Sequence, residues 1–484
     1  MRRIADLKNA SAVLQWDQET YLPVKGAAIR GQQLSTLSEL AHQLFSEPEL
    51  GSLLQELLGR QDVSEDERRN IELTYEDFTK NKKYTSDFVR RMSDQVNKAF
   101  HSWISAREQN SFRVFEDDLT ALIELKRQET DLLGYERHPY NALLNEFEKG
   151  SNVSLLDQTY NDLLPSLQNL MNKIIEKGTV NDSLMHQHFP RQQQWDWGMH
   201  LLKHLNFDFD SGRQDISEHP FSTSFHPNDV RITTRIAEED FGNMTWSCIH
   251  EVGHALYEQG LPVQEYGLPL GEACSYSIHE SQSRLWENNV GRSKLFWQHY
   301  YPLLTNFFPQ QFGKVSLEEF YLAINKVQPS LVRTEADEIS YHFHVYIRYE
   351  LEKKLIEGSL PAKDIPIFWK EHYQRLLGVA VPDDKAGSLQ DVHWSHGSFG
   401  YFPTYSLGSF YAAQFYETAK TSISDLESQV SEGRFSELLS WLRTHIHSKG
   451  RKFTSEQLCK EVTGEPLNTK HFLDYIMNKY DVIL

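Results

Sequence analysis

Apolar residues recur every three or four positions over most of the chain. Between Leu34 and Phe45 they fall at Leu34, Leu37, Leu40, Ala41 and Leu44, a spacing that gathers them on one side of a helix. The segments 153–175, 343–356 and 435–446 follow the same rule, the first interrupted only by Pro165. From residue 221 to 236 the period changes to two. Val230, Ile232, Thr234 and Ile236 fall on one side there, and Arg231, Thr233 and Arg235 on the other. Alternation of β-branched residues predicts strands, with Pro220, Pro227 and Asn228 supplying the turns. The pattern therefore predicts a mainly α protein with a small β-sheet just ahead of residue 250.

His250-Glu251-Val252-Gly253-His254 follows that sheet. Residues four apart share a helix face, so both imidazoles can reach one ion while Glu251 projects beside them as a general base. Ile249, Val252 and Leu256 form an apolar stripe, and Gly260 followed by Leu261-Pro262 is a helix stop. The spacing alone carries little, because His200 and His204 repeat it without the glutamate and read as an ordinary histidine pair. What raises the motif above that pair is Glu280, 26 positions after His254. The interval fits a helix end, a connection and an antiparallel second helix. The other zinc pattern, with a third histidine six residues after the second, is closed off by Gly260. Two histidines and a glutamate with an open fourth position make a catalytic type of metal site.

Length and charge narrow the class further. At 484 residues the chain exceeds what one compact core usually holds, so two lobes are expected. A net charge of −19 disfavours nucleic acid and anionic membranes as partners. Cys248, Cys274 and Cys459 are odd in number and lack paired metal-ligand spacing, which points to a reducing, cytoplasmic location. No run approaches the roughly 18–20 apolar residues of a membrane span.

Beyond these readings the sequence resembles the carboxypeptidase Taq family of zinc metallocarboxypeptidases. The family's HPF stands at His219-Pro220-Phe221, and its D-x-R-x-T at Asp229-Val230-Arg231-Ile232-Thr233. H-E-x-x-H is followed by His279-Glu280-Ser281, then Val332-Arg333-Thr334-Glu335-Ala336-Asp337 in place of I-R-x-x-A-D. Gly387 to Trp394 matches G-x-x-Q-D-x-H-W, Trp16 to Thr20 reads W-D-Q-E-T, and Val462 to Leu467 reads V-T-G-E-P-L. One departure is valine for isoleucine at 332, conservative at an apolar site. Trp16 also stands nearer the start than the family pattern leads one to expect. The resemblance implies a single catalytic domain over 1–484, built as two helical lobes around a deep groove, with the N-terminal helices as a candidate lid. It further implies a homodimer that releases single residues from peptide C-termini with broad specificity and works poorly on C-terminal proline. The expected cofactor is one divalent metal per chain, zinc first and cobalt as the alternative.

Within that frame the remaining residues take candidate roles. A guanidinium can grip the substrate's terminal carboxylate bidentately; Arg333 is the first choice, with Arg231 and Arg348 behind it. Tyr405 and His393 are candidates for donors to the developing oxyanion, with Tyr401 a rival to Tyr405. His219 is read as orienting the β element or binding substrate. The Arg231 strand is a candidate edge for an extended peptide. Asp337, Glu272 and Glu287 are candidates to hold the outer nitrogens of the histidines. The rivals are a metallo-endopeptidase or dipeptidyl carboxypeptidase, and a peptide-binding relative without turnover. The retained Glu251 argues against the last.

Overall fold

The computed structural model describes residues 1–178 and 180–481. They form a largely helical chain with one three-stranded sheet, the fold class expected from the periodicity. The chain divides into two compact units. The first takes residues 1–81, 181–324 and 408–468, and the second takes 82–180, 325–407 and 469–484.

All four helices read from the apolar spacing are present, as Ala27–Phe45, Val153–Lys177, Tyr341–Glu357 and Ser436–His445. The Val153–Lys177 helix runs through Pro165. It buries Leu156, Leu163, Leu167, Leu170 and Ile174 on one face, and the Asn152 side chain caps its start by accepting from the Leu155 N–H. That cap satisfies an amide that no residue inside the helix can reach. Two helices depart from the simple stripe. In Ala27–Phe45, Ala41 is enclosed but Leu40 is exposed. Tyr341–Glu357 is not amphipathic, since His344, Arg348 and Glu352 are buried along with Phe343, Val345, Ile347 and Leu351. A helix enclosed on every side must give each polar residue a partner, and Glu352 accepts from Trp394 Nε1, the Gly400 N–H (both 2.8 Å) and the Tyr140 hydroxyl.

The sheet lies in the first unit, in the order β1-β3-β2. Here β1 is Gly212–Ile216, β2 is Ser222–His226 and β3 is Asp229–Thr234. β1 runs parallel to β3 and β2 antiparallel to it. Val230, Ile232 and Thr234 are buried as the alternation requires. Thr233 is buried as well, its hydroxyl 2.7 Å from Ser217 Oγ and accepting from the Phe221 N–H at 3.0 Å. Arg235 and Ile236 lie past the end of β3. The expected peptide-pairing edge on the Arg231 strand does not exist, since β3 is hydrogen-bonded on both sides and the sheet's edges are β1 and β2. β1 was not foreseen: Gly-Arg-Gln-Asp-Ile carries no apolar alternation. It is held by register with β3, where a Cβ on Gly212 would meet the Val230 carbonyl oxygen at 2.3 Å.

The Arg2–Thr20 helix packs on Ala27–Phe45 and on β2. Trp16 from it lies under the Arg231 guanidinium, 4.3 Å from the ring centroid, with Phe225 at 5.0 Å. Among the described residues no helix is long and apolar enough to cross a membrane. None of the three cysteines forms a disulfide among the described residues.

Candidate metal centre

β2 and β3 pack against the Phe241–Glu258 helix, which carries the H-E-x-x-H residues. Asp240 starts this helix by accepting from the N–H groups of Gly242 and Asn243. Ser275 caps the neighbouring Tyr276–Arg284 helix, which carries Glu280. Gly253 sets the distance between them: a Cβ there would lie 2.6 Å from both the Gln282 carbonyl oxygen and Ser283 Cα. Gly408 closes the other side, where a Cβ would meet Glu280 Cγ at 2.5 Å. Glycine at both places lets the glutamate approach the imidazoles. Substituting Gly253→Ala is accordingly expected to cost about 1–3 kcal/mol by overpacking against backbone that cannot swing aside. Zinc affinity should fall with it, and thermal melting with a zinc titration checks both; an unchanged melting temperature and unchanged affinity would refute the close-approach argument.

Three ligand atoms converge between the two helices. Glu280 Oε2 lies 3.8 Å from His250 Nε2 and 3.5 Å from His254 Nε2, and all three lie within 4.8 Å of one another. The outer nitrogens decide which way the lone pairs point. His250 Nδ1 sits 2.9 Å from Glu287 Oε2, and His254 Nδ1 sits 3.1 Å from the His279 carbonyl oxygen. Both partners only accept, so both Nδ1 atoms carry the hydrogen and both Nε2 lone pairs face Glu280. Two imidazole nitrogens and a carboxylate oxygen, aimed at one point, fit a divalent ion of the zinc type.

Electrostatics prepares the same ligands. Burial would raise the Glu280 carboxyl, but the Arg284 guanidinium and the two imidazoles more than offset it and hold the group ionised. Arg284 Nε donates to Glu280 Oε1 at 2.7 Å, which keeps that oxygen turned away from the histidines. Burial, with His279 beside it, lowers His254 to about 4, so it is neutral and ready to bind near pH 7. Burial would lower His250 too, yet Glu280 and Glu287 outweigh it and raise its pKa. A protonated imidazole cannot bind a metal, so the raised His250 pKa makes uptake weaken as the pH falls.

Glu251 is buried on the same helix. Ser222 Oγ, from β2, donates to Glu251 Oε2 at 2.6 Å. Burial raises the Glu251 carboxyl, and His250 and the serine hydroxyl work against that rise. A carboxylate raised in this way is a stronger base than one in water.

Of the three carboxylates proposed as outer partners, Glu287 is in place. It sits in a π-helical segment, Leu285–Gly291, that continues the Glu280 helix, and it is also bonded by Arg284 and Arg292, a departure from α geometry often found at functional sites. Glu272 instead meets Arg451. Asp337 belongs to the second unit, where it accepts from the N–H groups of Gln328, Ile339 and Ser340 and from the Ser340 hydroxyl. The groups on His254 were missed: its Nδ1 lies 3.1 Å from the His279 carbonyl oxygen and 2.6 Å from His279 Nδ1, and His279 Nε2 is in turn bonded to Glu258 Oε1 at 2.8 Å. One sequence signal was available, because Glu258 lies four residues beyond His254 on the same helix face.

The other candidate residues divide between the units. In the first, Arg231 pairs with Asp229 through two contacts of 3.0 and 3.1 Å, and His219 is exposed, its carbonyl accepting from Ser217 Oγ. In the second, Arg333 and Arg348 share Asp391. Arg348 is wholly enclosed, with Nη1 on the His344 carbonyl oxygen at 2.8 Å and Nη2 on Gln390 Oε1 at 2.7 Å. Arg333 is less committed, its Nη1 only 3.5 Å from the Tyr341 hydroxyl and its guanidinium 4.8 Å from the Tyr405 ring centroid. His393 Nε2 meets the Tyr405 hydroxyl at 3.1 Å, while its buried Nδ1 has no hydrogen-bond partner.

A mainly helical chain bearing H-E-x-x-H on one helix and a converging glutamate on the next has the architecture of a metal-dependent peptidase. Comparison with known proteins makes the class specific: the chain belongs to the Carboxypeptidase Taq (M32) metallopeptidase family, whose pattern matches residues 1–480. It is 38% identical over 493 residues to thermostable carboxypeptidase 1 of Thermus thermophilus, covering 99% of this chain and 96% of that one. The solved M32 carboxypeptidase of Deinococcus radiodurans R1 superposes with a TM-score of 0.97 at 36% identity, covering 100% and 97% of the two chains. A solved chain described as CHT superposes with a TM-score of 0.98 at 57% identity, covering 99% and 97%. Family membership makes the chain a metal-dependent peptide hydrolase.

Proposed function

We propose that this protein removes single amino acids from the C-termini of peptides, using zinc held by His250, His254 and Glu280, with Glu251 as the general base. The observation that carries the reading is the convergence of the three ligand atoms beside a buried, base-strengthened Glu251. A bound zinc ion, or cobalt in its place, would polarise the scissile carbonyl and acidify the attacking water. Glu251 takes the proton from that water and returns it to the leaving nitrogen. Arg333, with donor capacity left over from Asp391, is the first candidate for the substrate's terminal carboxylate. Arg231, Arg348 and His219 stand behind it because their polar groups are already engaged or exposed. His393 and Tyr405 are proposed as donors to the oxyanion; the 3.1 Å contact of His393 Nε2 with the Tyr405 hydroxyl favours that tyrosine.

The same reading takes the whole chain as one catalytic domain with a lid formed by its N-terminal helices, working in the cytoplasm as a homodimer on varied peptides and poorly on C-terminal proline. Three cysteines outside any disulfide and the strong negative charge support the location. The deciding assay uses a blocked dipeptide and its C-terminal amide, before and after chelation. Release from the free acid alone, lost on chelation and restored by zinc or cobalt, is the expected result. Cleavage of longer peptides internally, or two residues at a time, with the free acid untouched, would overturn the exopeptidase assignment.

A further inference from the structure

The Glu251 carboxylate has one side-chain hydrogen bond among the described residues, and it comes from the sheet. Ser222 Oγ donates to Glu251 Oε2 at 2.6 Å and lies 3.1 Å from the backbone carbonyl oxygen of the same residue. A hydroxyl has one hydrogen, and the shorter contact, to the charged oxygen, is the stronger. Glu251 Oε1 accepts no hydrogen bond from the described residues, so the two oxygens are unequal: one is fixed and the other is left to accept a proton.

The strand is built to place that serine. Ser222 is opposite Ile232 of β3 in antiparallel register, and Ile232 is fully buried against the core. The register thus pins the serine's backbone.

We propose that Ser222 is a positioning residue for the proton transfer: from β2 it locks the Glu251 side chain so that Oε1 is the oxygen that takes the proton. This rests on the reading of Glu251 as the general base. Among the described residues Ser222 makes no hydrogen bond to His250, His254 or Glu280, so its effect should fall on turnover and leave the metal in place.

The test compares Ser222→Ala, Ser222→Thr, Glu251→Gln and the Ser222→Ala/Glu251→Gln double variant, with kcat, KM and zinc affinity measured for each. Ser222→Ala is expected to lower kcat by roughly 10–100-fold, the scale of a misplaced reacting group, with KM and zinc affinity held. Ser222→Thr, which keeps the hydroxyl, should recover most of that loss. In the Glu251→Gln background the serine substitution should change the residual rate little, because two residues acting as a unit are not additive. Wild-type kcat in Ser222→Ala, a matching fall in zinc affinity, or additive losses in the double variant would each overturn the proposal. Full activity in Glu251→Gln alone would instead remove the general base, and the proposal with it.

Discussion

Glu280→Gln leaves the fold intact and empties the protein of zinc on dialysis. Glutamine has the shape of glutamate, so the tight contact with Gly408 survives. Its amide oxygen is neutral, and Arg284, which now pairs with both Glu280 and Glu287, loses one of its two carboxylates. The site is left with two imidazoles, one carrying a raised pKa that itself depends on Glu280. Removing an outer hydrogen-bond partner of a ligand typically costs about 10–100-fold in metal affinity, and losing the only anionic ligand must cost more. Metal content after dialysis and a competition titration give the answer directly. A variant that keeps one zinc per chain with wild-type affinity would show that Glu280 is not a ligand.

Glu251→Gln is expected to separate chemistry from binding. The amide still accepts from Ser222 and fills the same buried space, so zinc content and KM should stay near those of the unaltered protein. What disappears is the proton acceptor. General-base catalysis contributes roughly 10²–10⁴-fold, and the loss should appear in kcat. Because the carboxylate is lost and not only moved, the fall should exceed that of Ser222→Ala. A variant with normal zinc content and undiminished kcat would remove Glu251 from the mechanism.

Two cases show how far the chain alone reached. The helix pattern placed four helices correctly, and H-E-x-x-H with Glu280 named the three side chains that converge, because helix periodicity converts spacing into direction. The outer partners followed no such rule. Glu287 was reachable, being on the continuation of the same helix as Glu280, whereas His254 meets the main-chain carbonyl and the ring nitrogen of His279, a pairing that helix spacing does not reveal. Arg348 looked like a carboxylate receptor and is instead enclosed around Asp391, 43 positions away. Burial of that kind depends on which elements surround the helix, not on its own residues.

By itself, then, the sequence determined the helical class, the sheet's place in the chain and the three side chains that converge, since each rests on local periodicity and on chemistry carried within a few turns of helix. Tertiary structure decided the rest. It put β3 between two strands, gave each histidine its outer acceptor, enclosed Glu251 so that its basicity rises, and brought Ser222 to that carboxylate across 29 residues of chain. The physical reason is common to all four: hydrogen bonding, desolvation and close packing act through space, between residues whose separation along the chain says nothing of their distance.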